Sequence, residues 1–201
     1  MMSDYIFLFD LDSTISKIEI LPEISKYIGK EKEIRELTEK TMCGEIPFKH
    51  SFLKRVEILG CTDVEEVNKM ISGIPLNEGV ARFIQENQDR CYVVTGNLDV
   101  WISGLMERLG MENHCFCSKA IVKDGQIDKV VSVLDKQLTV SQFVQPIVAV
   151  GDGDNDAEMA LLADIGIGFG GVRKIARSLI ETIDFAFYDD EKLYEFLNKL
   201  L

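Results

Sequence analysis

Three short apolar runs in this chain each end on a polar residue at one end. Tyr5–Phe9 runs into Asp10, Cys91–Val94 into Thr95, and Ile147–Val150 into Gly151-Asp152. Runs of four or five residues without polar alternation suit strands buried on both faces, as in a parallel sheet. Parallel strands need crossovers, and helical patterns fill the gaps. Asn77–Asn87, Asp99–Leu109 closed by Gly110, Asn155–Ala163 and Glu191–Leu201 read as helices, with short strands at Ile165–Ile167 and Phe185–Phe187. Cys115–Val122 reads as a strand entering a hairpin at Lys123-Asp124-Gly125. The alternation predicts an α/β chain with a mostly parallel sheet covered on both faces.

Residues 16–75 have another character. Glu23–Gly29, Lys32–Met42, Phe48–Leu59 and Val64–Ser72 read as short helices, charges interleaved with apolar residues, and no strand pattern appears. The expected organisation is a core built from 1–15 and 76–201 with a small helical cap, 16–75, inserted after the first strand.

The net charge of −12 disfavours nucleic acid or an anionic membrane as partner. An anionic small molecule would need a local positive site, such as a bound cation with a few basic side chains. No run approaches the roughly 18 apolar residues of a membrane span, and Tyr5–Phe9 is too short for a signal segment. Five cysteines at irregular spacing suit reduced thiols in a cytoplasm. Cys115 and Cys117, with His114 beside them, lack a fourth zinc ligand and read as buried strand thiols. Both a monomer and a homodimer fit the sequence.

The polar residues that close the strands would share one sheet edge, where open parallel sheets bind ligands. Asp10 and Asp12, two apart in an extended chain, leave on the same side. Paired carboxylates allow one nucleophile and one acid/base; turn or helix-capping aspartates are the plainer reading. Asp152, Asp154 and Asp156 in GDGDND repel unless a cation or a proton relieves them. Oxygen donors alone favour a hard ion such as magnesium. Thr95 and Gly96 could hold a phosphate oxygen through a hydroxyl and free N–H groups. Lys136 by itself carries no signal.

Taken together, in the order D-x-D-x-T, Thr, Lys, G-D-x-x-x-D, these segments resemble the four motifs of the haloacid dehalogenase superfamily. The resemblance spans Asp10 to Asp156 and implies a Rossmann-like three-layer core with a cap. It implies Asp10 as nucleophile and Asp12 as general acid/base. Thr95, Gly96, Asn155 and Lys136 would contact phosphate. Magnesium would be held by Asp10, Asp152 and the backbone carbonyl of Asp12, with Asp156 as a ligand or just behind the ligands. The insert is similar to the cap of the phosphoserine phosphatases, in the stretch Thr41–Leu59. That similarity implies Glu19 on a substrate ammonium, Arg55 on a carboxylate, and Met42 and Phe48 as water-excluding walls. The expected partner is therefore a small phosphorylated metabolite, phosphoserine first. Another phosphorylated metabolite, phosphoryl transfer to an alcohol, and a non-catalytic metal- and phosphate-binding module stay open. The second motif reads Thr95-Gly96-Asn97 where those phosphatases usually carry Ser-Gly-Gly. The segment after Lys136 leaves only Leu138–Gln145 for a crossover helix.

Overall fold

Every residue of Ile6–Phe9, strand β1, is buried. The computed structural model describes residues 4–42 and 45–201. Its other strands are β2 Cys91–Leu98, β3 Cys115–Lys123, β4 Gln126–Ser132, β5 Ile147–Gly151, β6 Ile165–Phe169 and β7 Phe185–Phe187. They form one sheet in the order β4-β3-β2-β1-β5-β6-β7. Adjacent strands are parallel except β3 and β4. The central strand β1 sets Phe7 beside Cys91 on one flank and Val148 on the other. The β3–β4 hairpin turns at Asp124 and Gly125, with φ of 51° and 79°. Two successive left-handed residues match strand twist, and Asp-Gly supplies them at little steric cost.

The helices are α1 Ile20–Tyr27, α2 Glu31–Met42, α3 Phe48–Leu59, α4 Val64–Ser72, α5 Glu78–Glu86, α6 Asp99–Leu109, α7 Lys136–Val140, α8 Ala157–Leu162, α9 Arg177–Ile180 and α10 Asp190–Leu197. Successive β1 side chains point to opposite faces. Phe7 and Phe9 enter a core with Phe83 of α5, Trp101 of α6 and Leu193 of α10, while Ile6 and Leu8 pack with Val140 of α7 and Met159 of α8. Both faces are thus covered, and the sequence reading of an α/β fold with a mostly parallel sheet holds.

Within the insert, α1, α2 and α3 pack on one another, whereas α4 lies along α6 of the sheet layer. Asn68 Oδ1 accepts the Gly104 N–H at 2.8 Å, and Arg108 donates to the Ser72 and Ile74 carbonyls. The hairpin grips the α3–α4 link as well: Ile127 N–H donates to Gly60 O at 3.0 Å and Val64 N–H to Gly125 O at 2.8 Å.

Several boundaries differ from the sequence reading, most by one to four residues, and four of the differences bear on the site. Helix α1 starts at Ile20 rather than Glu23; Pro22 falls in its first turn, where no intrahelical N–H bond is required. The helix expected from Asn155 opens as a 3-10 turn, Asp154–Asp156, before α8. Strand β2 continues past Thr95 to Leu98, with its register to β3 broken between those residues. The trimmed crossover is the five-residue α7, which begins on Lys136 itself. Cys117 is buried and Cys115 half-buried, both as free thiols, and Cys43 lies outside the described residues. His114 turns away to stack on Tyr92 at 4.6 Å.

Candidate active site

The carboxyl ends of β1, β2 and β5 open onto one cleft of about 790 Å³. Asp10 follows β1 in extended conformation, and its amide donates to Val150 O of β5 at 2.9 Å. The chain does not stay extended to Asp12 as expected. Leu11–Ile15 forms a tight turn, with Ser13 left-handed at φ 59°. This turn delivers Asp12 to the cap side. Asp12 Oδ1 accepts the Ile20 N–H at 2.7 Å and Oδ2 accepts from Asn97 Nδ2 at 2.5 Å.

Lys136, the first residue of α7, reaches Asp10 Oδ1 and Asp156 Oδ1, the latter at 2.6 Å. All three are buried. Asp156 Oδ2 accepts the N–H groups of Asp152 and Gly153 at 3.1 and 2.9 Å. Gly151 makes room for it, because a Cβ there would stand 2.4 Å from Asp156 Cγ.

Burial pushes the Asp10 carboxyl well above the usual range, helped by the Asp156 charge and opposed by Lys136. Burial also raises Asp12, against the Ile20 and Asn97 hydrogen bonds that favour its ionised form. Asp152 is pushed up by burial to about 6, with Arg173 pulling the other way. Burial alone would lower the Lys136 ammonium, but Asp10 and Asp156 outweigh it, so its pKa stands above the ordinary lysine value.

One oxygen each of Asp10, Asp152 and Asp156 lie within 4.8 Å of one another. Asp152 Oδ1 is buried with no hydrogen-bond partner. An orphaned carboxylate oxygen in an all-oxygen cluster fits a hard cation, because such an atom is costly to bury otherwise. The residues present therefore fit the metal expected from the sequence.

The cap side brings the other expected residues to the same cleft. Glu19, Phe48 and Arg55 line it, as do Gly96, Asn97 and Asn155. Phe48 is half-exposed at the start of α3, with its ring edge 3.5 Å from where a Gly96 Cβ would be. The Arg55 guanidinium lies 6.0 Å from the Phe48 ring centroid. Its Nε makes a long bond of 3.4 Å to Ser51 O. Arg55 is 9% exposed, and among the described residues no carboxylate comes within ion-pair distance. Burial lowers its pKa, and Asp12 and Glu19 act on it from a distance in the opposite sense. The Met42 side chain lies outside the described residues.

Arg173 was absent from the sequence reading. It reaches Asp152 Oδ2 through Nε and Glu19 Oε1 through a terminal nitrogen at 2.5 Å. Lys174 and Arg177 line the cleft beside it. The available signal was positional: Arg173 follows β6, whose carboxyl end lies beside that of β5.

Asp10, Asp12, the buried Lys136 ammonium and the Asp152 and Asp156 carboxylates thus meet on one sheet edge in the order the four motifs set. The family model of haloacid dehalogenase-like hydrolases matches residues 6–164, and the chain belongs to that family. More narrowly, it is 34% identical to the phosphoserine phosphatase of Methanocaldococcus jannaschii over 177 residues, 81% of this chain and 83% of that protein. It is 31% identical to the phosphoserine phosphatase of Archaeoglobus fulgidus over 176 residues, 80% of this chain and 51% of that longer protein. A solved phospho-aspartyl intermediate analogue of phosphoserine phosphatase superposes with a TM-score of 0.80 at 30% identity, covering 98% of this chain and 99% of that one.

Proposed function

We propose that the protein hydrolyses a small phosphomonoester, phosphoserine first, through a phosphorylated Asp10, with magnesium held by Asp10, Asp152, the Asp12 carbonyl and Asp156. Arg55 carries the substrate assignment. A buried guanidinium without a carboxylate partner is costly, and this one shares a cleft with the phosphate machinery. A substrate carboxylate would complete it bidentately, and the relatives named above carry phosphoserine in their names.

In this reading an Asp10 oxygen attacks phosphorus and the serine oxygen departs with a proton from Asp12. Asp12 then takes a proton from the water that cleaves the aspartyl phosphate, and orthophosphate leaves. Thr95, Gly96, Asn155 and Lys136 hold the phosphate oxygens. When bound, magnesium supplies positive charge that lets an anionic carboxylate approach an anionic ester. Glu19 faces the substrate ammonium with the oxygen that Arg173 leaves free, and Phe48, with Met42, closes the cleft to water. Residues 1–15 and 76–201 serve as the catalytic core and 16–75 as the cap, with α4 as its fixed base on α6. The absence of any helix long and apolar enough to cross a membrane, among the described residues, is compatible with cytoplasmic work on a free metabolite.

The Arg173–Glu19 pair favours a second reading, a phosphorylated hydroxy acid without an amine, because it already neutralises Glu19. The test is a set of steady-state rates with magnesium on phosphoserine, its deaminated analogue and an aryl phosphate. Phosphoserine is expected to have the highest kcat/KM. A preference for the deaminated ester selects the second reading, and no preference for either carboxylate over the aryl ester refutes both.

A further inference from the structure

The residue that departs from the family's second motif occupies a strategic place. Asn97 is 3% exposed, and its side-chain Nδ2 donates to Asp12 Oδ2 at 2.5 Å and to Thr95 Oγ1 at 3.0 Å. Its backbone N–H also donates to Thr95 Oγ1, at 3.2 Å. A hydroxyl oxygen has two lone pairs and one hydrogen. With both lone pairs taken, Thr95 anchors the Asn97 amide and keeps its own hydrogen as a donor. The Asp12 carboxyl is then held from two sides, by Asn97 of the core on Oδ2 and by the Ile20 N–H at the start of α1 on Oδ1. A glycine at this position, as in the usual Ser-Gly-Gly, has no side chain to make the first of these bonds.

We propose that Asn97 is a positioning residue that fixes the Asp12 carboxyl in one orientation for proton transfer to the leaving oxygen. The proposal rests on the reading of Asp12 as acid/base. With Asn97 gone, the carboxyl hangs on the cap alone and follows its motion. A positioned proton donor matters most when the leaving group is a poor one. An alkoxide such as that of serine needs the proton to depart, whereas an acidic phenolate hardly does. A purely structural asparagine would affect both esters alike.

The experiment measures kcat/KM, which reports the leaving-group step, for phosphoserine and for p-nitrophenyl phosphate. Wild type is compared with Asn97→Ala and Asn97→Gly, with thermal melts of each. Asn97→Gly places here the residue of the usual Ser-Gly-Gly and adds no charge beside Asp12, so it serves if Asn97→Ala fails to fold. For phosphoserine a loss of about 10- to 100-fold is expected, and for the aryl ester less than about 3-fold. Equal losses for both esters, or no loss for phosphoserine, overturn the proposal. If wild type hydrolyses neither ester, or Asp10→Asn hydrolyses both, the function reading itself has failed, and this inference with it.

Discussion

In the proposed reading, Arg55 is the residue on which substrate choice turns. It sits on α3 of the cap, buried, with a cation–aromatic neighbour in Phe48 and, among the described residues, no carboxylate within ion-pair distance. Charge-assisted hydrogen bonds are worth about 1.5–3 kcal/mol each. Arg55→Ala is therefore expected to raise KM for phosphoserine by roughly 10- to 100-fold and leave an aryl phosphate within about 3-fold. Parallel losses on the two esters would assign Arg55 to cap folding instead. At this scale much of the site was legible. Asp10, Thr95, Lys136, Asp152 and Asp156 were found because strand ends and motif order fix their places. Arg173 and the reach of Asn97 to Asp12 were not. Both depend on side-chain direction in loops and at a register break, where neither the two-residue nor the 3.6-residue period applies. Ser13 was missed for the same reason: nothing in a Ser-Thr pair announces a left-handed backbone.

Among the elements, the loop from β5 into α8 bears the most constraint. Asp156 can pair with Lys136 and accept two backbone N–H groups only because Gly151 leaves space beneath it. A methyl group 2.4 Å from Asp156 Cγ must displace it. Gly151→Ala is expected to cost about 1–3 kcal/mol of stability, as overpacking does, and to reduce activity more than about 10-fold through lost positioning. Chemical denaturation and steady-state rates would measure both; wild-type values for the two would contradict this account. The spans of α3 and α4 match the sequence reading to the residue, since Pro47 and Asp63 before them and Gly60 and Gly73 after them punctuate both ends. Around Asp154–Asp156 the reading was less accurate, because backbone N–H groups there turn to Asp156 rather than into a helix.

As a whole the molecule is acidic, with a net charge of −12, yet Arg55, Arg173, Lys174 and Arg177 gather at the cleft. Asp10, Asp12, Glu19, Asp152 and Asp154 line the same cleft, so these basic side chains offset the local acid charge without reversing it, and a bound cation would add the positive charge an anionic substrate needs. The cleft also ties stability to pH. Asp152 stands at about 6 in the folded protein against 3.8 ordinarily. Its folded pKa is raised, so its contribution to stability is fully present below about 3.8 and is lost as pH rises through about 6. A cation stabilises the ionised cluster and competes with the proton. The gain in Tm on adding magnesium is therefore expected to be small in acid and to grow as pH passes about 6. Thermal melts of chelator-treated protein with and without the ion would measure it. A gain independent of pH would show that the metal does not depend on Asp152.

The central position of β1 has a consequence for biosynthesis. The strand that leads into Asp10 is made well before one of its two flanks, since those flanks are β2 and β5, the latter ending at Gly151. Contacts of such sequence separation form late. A nascent chain stopped short of β5 would leave one edge of β1 bare, and the Asp10 carboxylate with no cluster to join. Everything between Phe9 and Ile147 must be made before Asp10 can join Asp152 and Asp156.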